Sequence, residues 1–208
     1  YVHGELIHKL MVEKLYPGGI FKQRRAVAAL APRRDYAEIL DMGCSTGHYT
    51  LALQETFPNA RITGVDCAIR TLEHARRVGN EKGYNWRLIL AAAEDTGLPD
   101  ASFDLVTSYI LLHELPAGAV AGVFSEAFRV AKPGADMVMS DVTRYAAMDK
   151  LAVYKADALA TNGGEPWWRQ SASLDLKAIA EAAGFVDVKS EGMNGGLYPW
   201  VVTGRKPA

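Results

Sequence analysis

Short apolar runs alternate with longer amphipathic stretches from about residue 37 onward, and this alternation predicts stacked βαβ units. Five of the apolar runs have the length and composition of buried parallel strands: residues 38–41, 61–65, 87–90, 104–108 and 136–140. The stretches between them predict helices near residues 47–56, 69–82 and 118–131. We expect the last of these helices to end at Lys132-Pro133-Gly134, because proline and glycine both stop a helix.

The C-terminal part of the chain predicts one more helix and two more strands. Ser173 is a good N-cap and Gly184 a good terminator, so we expect a helix between them. Strand-like runs at residues 185–189 and 198–203 flank a turn with Gly195-Gly196, which fits an antiparallel return. Together the patterns predict one α/β domain built on a sheet of seven strands.

The beginning of the chain also has helical spacing, with Leu6, Leu10 and Leu15 on related faces. Because the chain starts inside this pattern, at Tyr1 and not at a methionine, we expect that a preceding stretch has been lost.

Charge and composition exclude several classes of protein. The 208 residues carry 23 Lys plus Arg against 24 Asp plus Glu, a formal net charge of −1, whereas a nucleic-acid-binding protein needs a concentrated basic face. No apolar run approaches the roughly 20 residues that cross a bilayer, and no signal peptide is evident. We therefore expect a cytoplasmic protein with neither a nucleic acid nor a membrane as partner. The sequence leaves the oligomeric state open.

The most informative stretch is ILDMGCSTG, an apolar strand that runs through a turn of small residues into a helix. Parallel sheets bind ligands at the carboxyl ends of their strands, where such a turn lets a ligand approach the backbone. Asp66 ends the next strand, 19 residues after Gly47, where a carboxylate can accept hydrogen bonds from both hydroxyl groups of a ribose. The pair predicts a nucleotide-like cofactor.

Two common nucleotide motifs are not met by this turn. The glycine positions of a dinucleotide motif read Gly43, Ser45 and His48, so only the first is a glycine, and nicotinamide or flavin binding loses support. A phosphate-binding GxxxxGK loop is also missing, because His48 stands where its second glycine would be.

At these residues the chain resembles the class I S-adenosylmethionine-dependent methyltransferases, whose first motif is an acidic residue followed by alternating glycines. Asp41, Gly43 and Gly47 match it, and Ser45 stands in place of the middle glycine. The resemblance continues through Asp66, through AED with LPDASFD, and through RVAKPG, and it spans roughly residues 36–205. It implies a Rossmann-like, doubly wound sheet that is mostly parallel, with an antiparallel last strand and helices on both faces.

The resemblance also implies a cofactor, S-adenosylmethionine, with S-adenosylhomocysteine as product, and a place for each binding residue. Asp41 and Gly43 would lie beside the methionine amino group, Ser45 and Gly47 along the backbone turn, and Asp66 on the ribose. The full set of expected cofactor residues is Asp41, Gly43, Cys44, Ser45, Gly47, Asp66, Cys67, Ala93, Glu94, Asp95 and Tyr109. Asp95 is alternatively a turn cap. Cys44 and Cys67 lack metal-ligand spacing, so we expect wall residues and no metal.

The acceptor side is predicted at the same sheet edge, after the fourth and fifth strands. His113 is either a general base or a structural hydrogen-bonding group, and Asp141 either borders the pocket or caps a turn. Tyr145 is a second catalytic candidate. The expected acceptor contacts are Tyr109, His113, Tyr145, Trp167 and Trp168. The two tryptophans are alternatively core or lid packing, and as neighbours they cannot both face the same way.

The predicted function is methyl transfer to a small acceptor with apolar or aromatic character by in-line displacement. We assign residues 36–208 to the methyltransferase domain, 142–172 to a substrate-side insertion, and 1–35 to an N-terminal helical segment on the substrate side. The alternative is a cofactor-binding module or inactive partner subunit. An aminopropyl-transferring synthase has less support, because residues 108–112 offer no acidic groups for a polyamine.

Overall fold

A computed structural model of the protein describes residues 19–208. The strands are β1 (Glu38–Met42), β2 (Arg61–Asp66), β3 (Arg87–Leu90), β4 (Phe103–Tyr109), β5 (Ala131–Asp141), β6 (Val186–Gly192) and β7 (Trp200–Arg205). The helices are α1 (Gly19–Ala28), α2 (His48–Thr56), α3 (Ile69–Glu81), α4 (Ala117–Val130), α5 (Lys150–Gly163), α6 (Trp168–Ser173) and α7 (Leu176–Ala182). Short 3₁₀ turns occupy Leu112–Glu114, Tyr145–Ala147 and Met193–Gly195.

The seven strands form one sheet in the order β3-β2-β1-β4-β5-β7-β6. Strands β1 to β5 pair in parallel, whereas β7 runs antiparallel to both β5 and β6. This confirms the predicted Rossmann-like, seven-stranded α/β sheet with an antiparallel last strand. The order reverses between β1 and β4, and in parallel sheets the crevice at such a point is where ligands bind.

Both faces of the sheet are covered, which explains why its central strands are continuous apolar runs. Because side chains alternate between faces, Val106 enters one buried core with helices α4 and α7, and Leu105 enters a second core with α1 and α2. In β1, Leu40 and Ile39 divide between the two cores in the same way. This packing holds the carboxyl ends of β1, β4 and β5 at one rigid edge.

Three predicted boundaries are wrong. Helix α4 ends at Val130 and β5 begins directly at Ala131, which pairs with Phe103, so the Pro-Gly pair lies inside a strand. Ser173 is the last residue of α6 and not an N-cap, because its hydroxyl group donates back to the carbonyl of Arg169. The cap of α7 is Asp175, which accepts from the amide of Ala178 at 3.0 Å. The last strand begins at Trp200, two residues later than predicted.

The expected N-terminal segment is described only from Gly19 onward, so the helical pattern of Leu6, Leu10 and Leu15 lies outside the described residues. Helix α1 packs into the second core through Val27 and Ala28. The expected insertion contains α5, of which only Ala160 is buried. Across the described part of the chain, no helix has both the length and the apolar character needed to cross a bilayer.

Candidate functional site

The turn after β1 depends on glycine at two positions. Gly43 has φ +71° and Gly47 φ +82°, which L side chains rarely adopt. A Cβ on Gly43 would lie 2.7 Å from Leu111, and one on Gly47 would lie 2.9 Å from Cβ of Ala75. Ser45 also has a positive φ, +48°, which is uncommon for a residue with a side chain. The turn therefore places backbone that no side chain covers at the carboxyl edge of the sheet.

Asp66 links this turn to the start of α3. Its Oδ2 accepts from the amide of Ser45 at 2.9 Å, and its Oδ1 accepts from the amide of Ala68 at 2.9 Å and the hydroxyl of Thr71 at 3.0 Å. The side chain is half-buried, so it stays accessible at the strand end. Carboxylate oxygens have further lone pairs for ligand hydroxyl groups. Asp66 thus holds the loop and can still accept from a ribose.

Asp41 is a buried carboxylate with one unsatisfied oxygen. Its Oδ2 accepts from the hydroxyl of Thr50 at 2.7 Å, while Oδ1 has no hydrogen-bond partner among residues 19–208. Burial, with a smaller contribution from Asp66, raises its pKa to about 7, against the opposing effects of Thr50 and Arg24. An unpaired buried carboxylate oxygen of this kind suits a cationic ligand group.

The two cysteines have different surroundings, and both are free thiols. Cys44 is buried against β2, where a Cβ on Gly64 would lie 2.8 Å from its sulfur, and burial raises the pKa of its thiol well above the ordinary value. A buried, protonated thiol is a poor nucleophile. Cys67 is exposed, directly after Asp66.

The loop after β3 contains the next group of predicted cofactor residues. Ala93 is buried, Glu94 and Asp95 are exposed, and the amide of Asp95 donates to the carbonyl of Ala92 at 3.3 Å. Buried Glu126 supports the loop by accepting from the amide of Thr96 at 2.9 Å. Glu126 is not predictable as a loop support from the sequence, where its only signal is its position three residues before Arg129.

Tyr109 lies in the second core at the end of β4. Its ring stacks on Tyr49 with centroids 5.0 Å apart, and its hydroxyl group donates to Oε1 of Gln23, which is fully buried. The guanidinium of Arg24 lies 5.4 Å from the ring centroid. Helix α1 thus supplies polar groups to this edge that sequence analysis missed, because a glutamine in an amphipathic helix gives no signal of its own.

His113 and Asp141 form a buried pair at the ends of β4 and β5. Nδ1 of His113 lies 3.2 Å from Oδ1 of Asp141, which also accepts from the amide of Val142 at 2.8 Å. The guanidinium of Arg144 lies 3.4 Å from the same oxygen. Burial opposes charge on both partners, but their attraction outweighs it, so the pKa of His113 lies above its ordinary value and that of Asp141 below.

The aromatic residues of the insertion separate into two environments. Trp168 packs edge-on against His113, with ring centroids 5.2 Å apart, whereas Trp167 is 37% exposed. The hydroxyl group of Tyr145 donates to Asp157, and burial raises the pKa of Tyr145 above its ordinary value. The structure therefore brings His113 and Trp168 together, while Tyr145 is bonded to a carboxylate of α5.

Comparisons with known proteins show the family to which this chain is similar. A family profile described as a methyltransferase domain matches residues 39–134. A demethylmenaquinone methyltransferase of Staphylococcus aureus (strain JH9) is 30% identical over 184 residues, covering 79% of this chain and 74% of that protein.

Solved structures show the same fold. Human N-acetylserotonin methyltransferase in complex with S-adenosylmethionine is similar with a TM-score of 0.66 at 14% identity, over 89% of this chain and 52% of that chain. Phosphoethanolamine N-methyltransferase 2 of Haemonchus contortus, in complex with S-adenosylhomocysteine, has a TM-score of 0.69 at 17% identity, over 90% of this chain and 53% of that chain.

The chain belongs to the class I S-adenosylmethionine-dependent methyltransferases. It is a methyl-transferring enzyme with S-adenosylmethionine as cofactor. The turn at Gly43, which has no room for a side chain, and the unpaired oxygen of Asp41 fit that ligand.

Proposed function

We propose that this enzyme methylates a small acceptor with an apolar or aromatic body, and that His113 takes the proton that the acceptor loses. The observation that carries the proposal is the buried His113–Asp141 pair, with Nδ1 and Oδ1 3.2 Å apart, at the sheet edge that also holds the cofactor turn. S-adenosylmethionine supplies the electrophilic methyl group, so the protein has to align the acceptor, exclude water and accept a proton.

The proposed cofactor site combines the residues described above at the carboxyl edge. The members are Asp41, Gly43, Cys44, Ser45, Gly47, Asp66, Cys67, Ala93, Glu94, Asp95 and Tyr109. Of these, Asp41 would pair with the ammonium group and Asp66 with the ribose hydroxyl groups. The support is the unpaired Oδ1 of Asp41 and the half-buried carboxylate of Asp66.

Asp141 would act as a positioning residue. A carboxylate at Nδ1 holds the imidazole as the tautomer with its proton on Nδ1, which leaves the lone pair of Nε2 for the acceptor. Arg144, itself buried, pairs with Asp141 and keeps that carboxylate ionised. The pair therefore resembles the base and orienting group of other proton-transfer sites.

The proposed acceptor side lies where the insertion at residues 142–172 meets the edge of the sheet. Trp168 contacts His113, and Tyr109, Tyr145 and Trp167 complete the set of candidate acceptor contacts. The exposed apolar side chains of this insertion, which are Leu151, Tyr154, Leu159 and Trp167, agree with the quinone named for the Staphylococcus aureus relative. A nucleic acid is not the proposed acceptor, since the chain carries a net charge of −1. Residues 36–208 are proposed as the catalytic domain, with 1–35 as a helical segment beside it.

The test is a methyl-transfer assay with labelled S-adenosylmethionine and a panel of reduced quinones, phenols and aromatic amines. We expect turnover with at least one of them, and a fall in kcat of roughly 100-fold or more in His113→Gln with cofactor binding unchanged. Cofactor binding without turnover on any acceptor would support the alternative, a binding module or inactive partner subunit. A near-normal kcat in His113→Gln would contradict the role of the base.

A further inference from the structure

Beside the imidazole of His113, on the side away from Asp141, lie two carboxylates that the methyl-transfer mechanism does not use. One donor atom from each of His113, Glu114 and Glu165 lies within 4.8 Å of the other two. Nε2 of His113 is 3.7 Å from Oε1 of Glu114, which is too long for a hydrogen bond. Glu165 lies 51 residues after Glu114 in the chain and reaches this point only through the fold of the insertion.

His113 is oriented toward these carboxylates. The side chain is only 5% exposed, and Asp141 holds its Nδ1. Across residues 19–208, no hydrogen bond is made by Nε2, so the unbonded nitrogen of a buried side chain faces two oxygen donors. A carboxylate on the far ring nitrogen is the outer-shell arrangement that orients metal-binding histidines and makes them stronger ligands.

In the described part of the chain, His113 is the basic side chain that lies beside these two carboxylates. Arg144 pairs with Asp141, which leaves Glu114 and Glu165 as the other acidic groups. Neither of them forms an ion pair with a lysine or arginine in the described part of the chain.

We infer that Nε2 of His113 and the carboxylates of Glu114 and Glu165 bind one divalent transition-metal ion. A ligand set of one imidazole and two carboxylates suits zinc or manganese, whereas magnesium prefers oxygen ligands alone. Glu114 is exposed and Glu165 half-buried, so rotation of these side chains can bring their oxygens to bonding distance of about 2.0–2.2 Å. Trp168 packs against the imidazole and shields one side of the site.

The decisive experiment is calorimetric titration of the purified chain with ZnCl₂, MnCl₂ and MgCl₂ in a buffer that does not chelate metals. We expect one zinc or manganese ion per chain at micromolar concentration and at least tenfold weaker binding of magnesium. Glu165→Gln should weaken zinc binding at least tenfold. The matched control is Glu181→Gln, an exposed glutamate on α7 near Lys177, which should bind zinc as the unmodified chain does.

Two results would overturn the site: no zinc or manganese binding, or binding that Glu165→Gln and Glu114→Gln both leave unchanged. The second result would point to another group, such as the exposed thiol of Cys67. A thermal unfolding scan shows whether each variant is folded, and the two single variants test the site separately.

One consequence rests on the proposed function, because the lone pair of Nε2 cannot bind a metal and accept a proton at the same time. Zinc should then inhibit methyl transfer, a chelator should restore it, and Glu165→Gln should be resistant. Zinc binding without inhibition would leave the metal site in place and contradict the base role of His113. If zinc does not bind but His113→Gln still loses turnover as expected, the metal site is contradicted and the base role of His113 is supported.

Discussion

The buried carboxylate of Asp41 leads to a prediction about stability and pH. Its side chain is 1% exposed, and its only hydrogen bond in the described structure is from Thr50 to Oδ2. Without its ligand the protein therefore contains a carboxylate that is costly to ionise. Replacing it by asparagine, which has the same shape and no charge, should stabilise the ligand-free protein at neutral and alkaline pH.

The magnitude follows from the pKa, which burial raises from 3.8 to about 7. Between these two values the folded state binds more protons than the unfolded state, so the free energy of unfolding falls as the pH rises. Each pKa unit is worth about 1.4 kcal/mol, so the full penalty is on the order of 4 kcal/mol and is reached above about pH 7. Below about pH 4 the carboxyl group is neutral in both states and contributes nothing.

The measurement is urea unfolding of the ligand-free protein and of Asp41→Asn between pH 4 and pH 8.5. The difference in the free energy of unfolding should grow with pH in favour of the variant, to a few kcal/mol. Glu181→Gln, a surface control, should show no such trend. A constant difference across the range, or a variant less stable at pH 8, would refute the argument. S-adenosylmethionine should bind the variant about tenfold or more weakly, because the proposed partner of its ammonium group is lost.

Three further predictions concern the same sheet edge. Asp66→Ala should weaken S-adenosylmethionine binding by about 1.5–3 kcal/mol in calorimetry, and unchanged affinity in a folded variant would exclude the ribose contact. Asp141→Asn should lower kcat and move the rising limb of the pH–rate profile to lower pH, since the negative charge of Asp141 raises the pKa of His113. A rising limb at the same pH in the variant would show that Asp141 has only a structural role. Gly47→Ala should destabilise the fold more than Gly97→Ala, because both glycines have positive φ but only a Cβ at Gly47 would meet a close neighbour, Ala75. Urea unfolding measures the two variants, and an equal loss of free energy of unfolding in both would show that the contact with Ala75 has no effect.

Local pattern was sufficient for strands β1 to β4 and for the glycine turn after β1. The runs that became β1 to β4 are apolar because both faces of the sheet are covered, and this requirement is visible in the sequence itself. The spacing from Gly47 to Asp66 likewise reflects one helix and one strand between two loops at the same edge. The boundary at Ala131 was not predictable in this way, because pairing with Phe103 makes a strand of a segment with helix-breaking residues.

The sequence by itself determined the fold class, the glycine turn after the first strand and the position of His113 after the fourth strand, because these depend on residues that are close along the chain. Only the tertiary structure decided which groups surround that histidine. Asp141 and Glu165 lie 28 and 52 residues beyond it and approach it through the parallel register of the sheet and the path of the insertion. Burial and neighbouring charge then decided the chemistry. Removal from water raises the pKa of Asp41, whereas the attraction of Asp141 raises the pKa of His113 against the effect of burial.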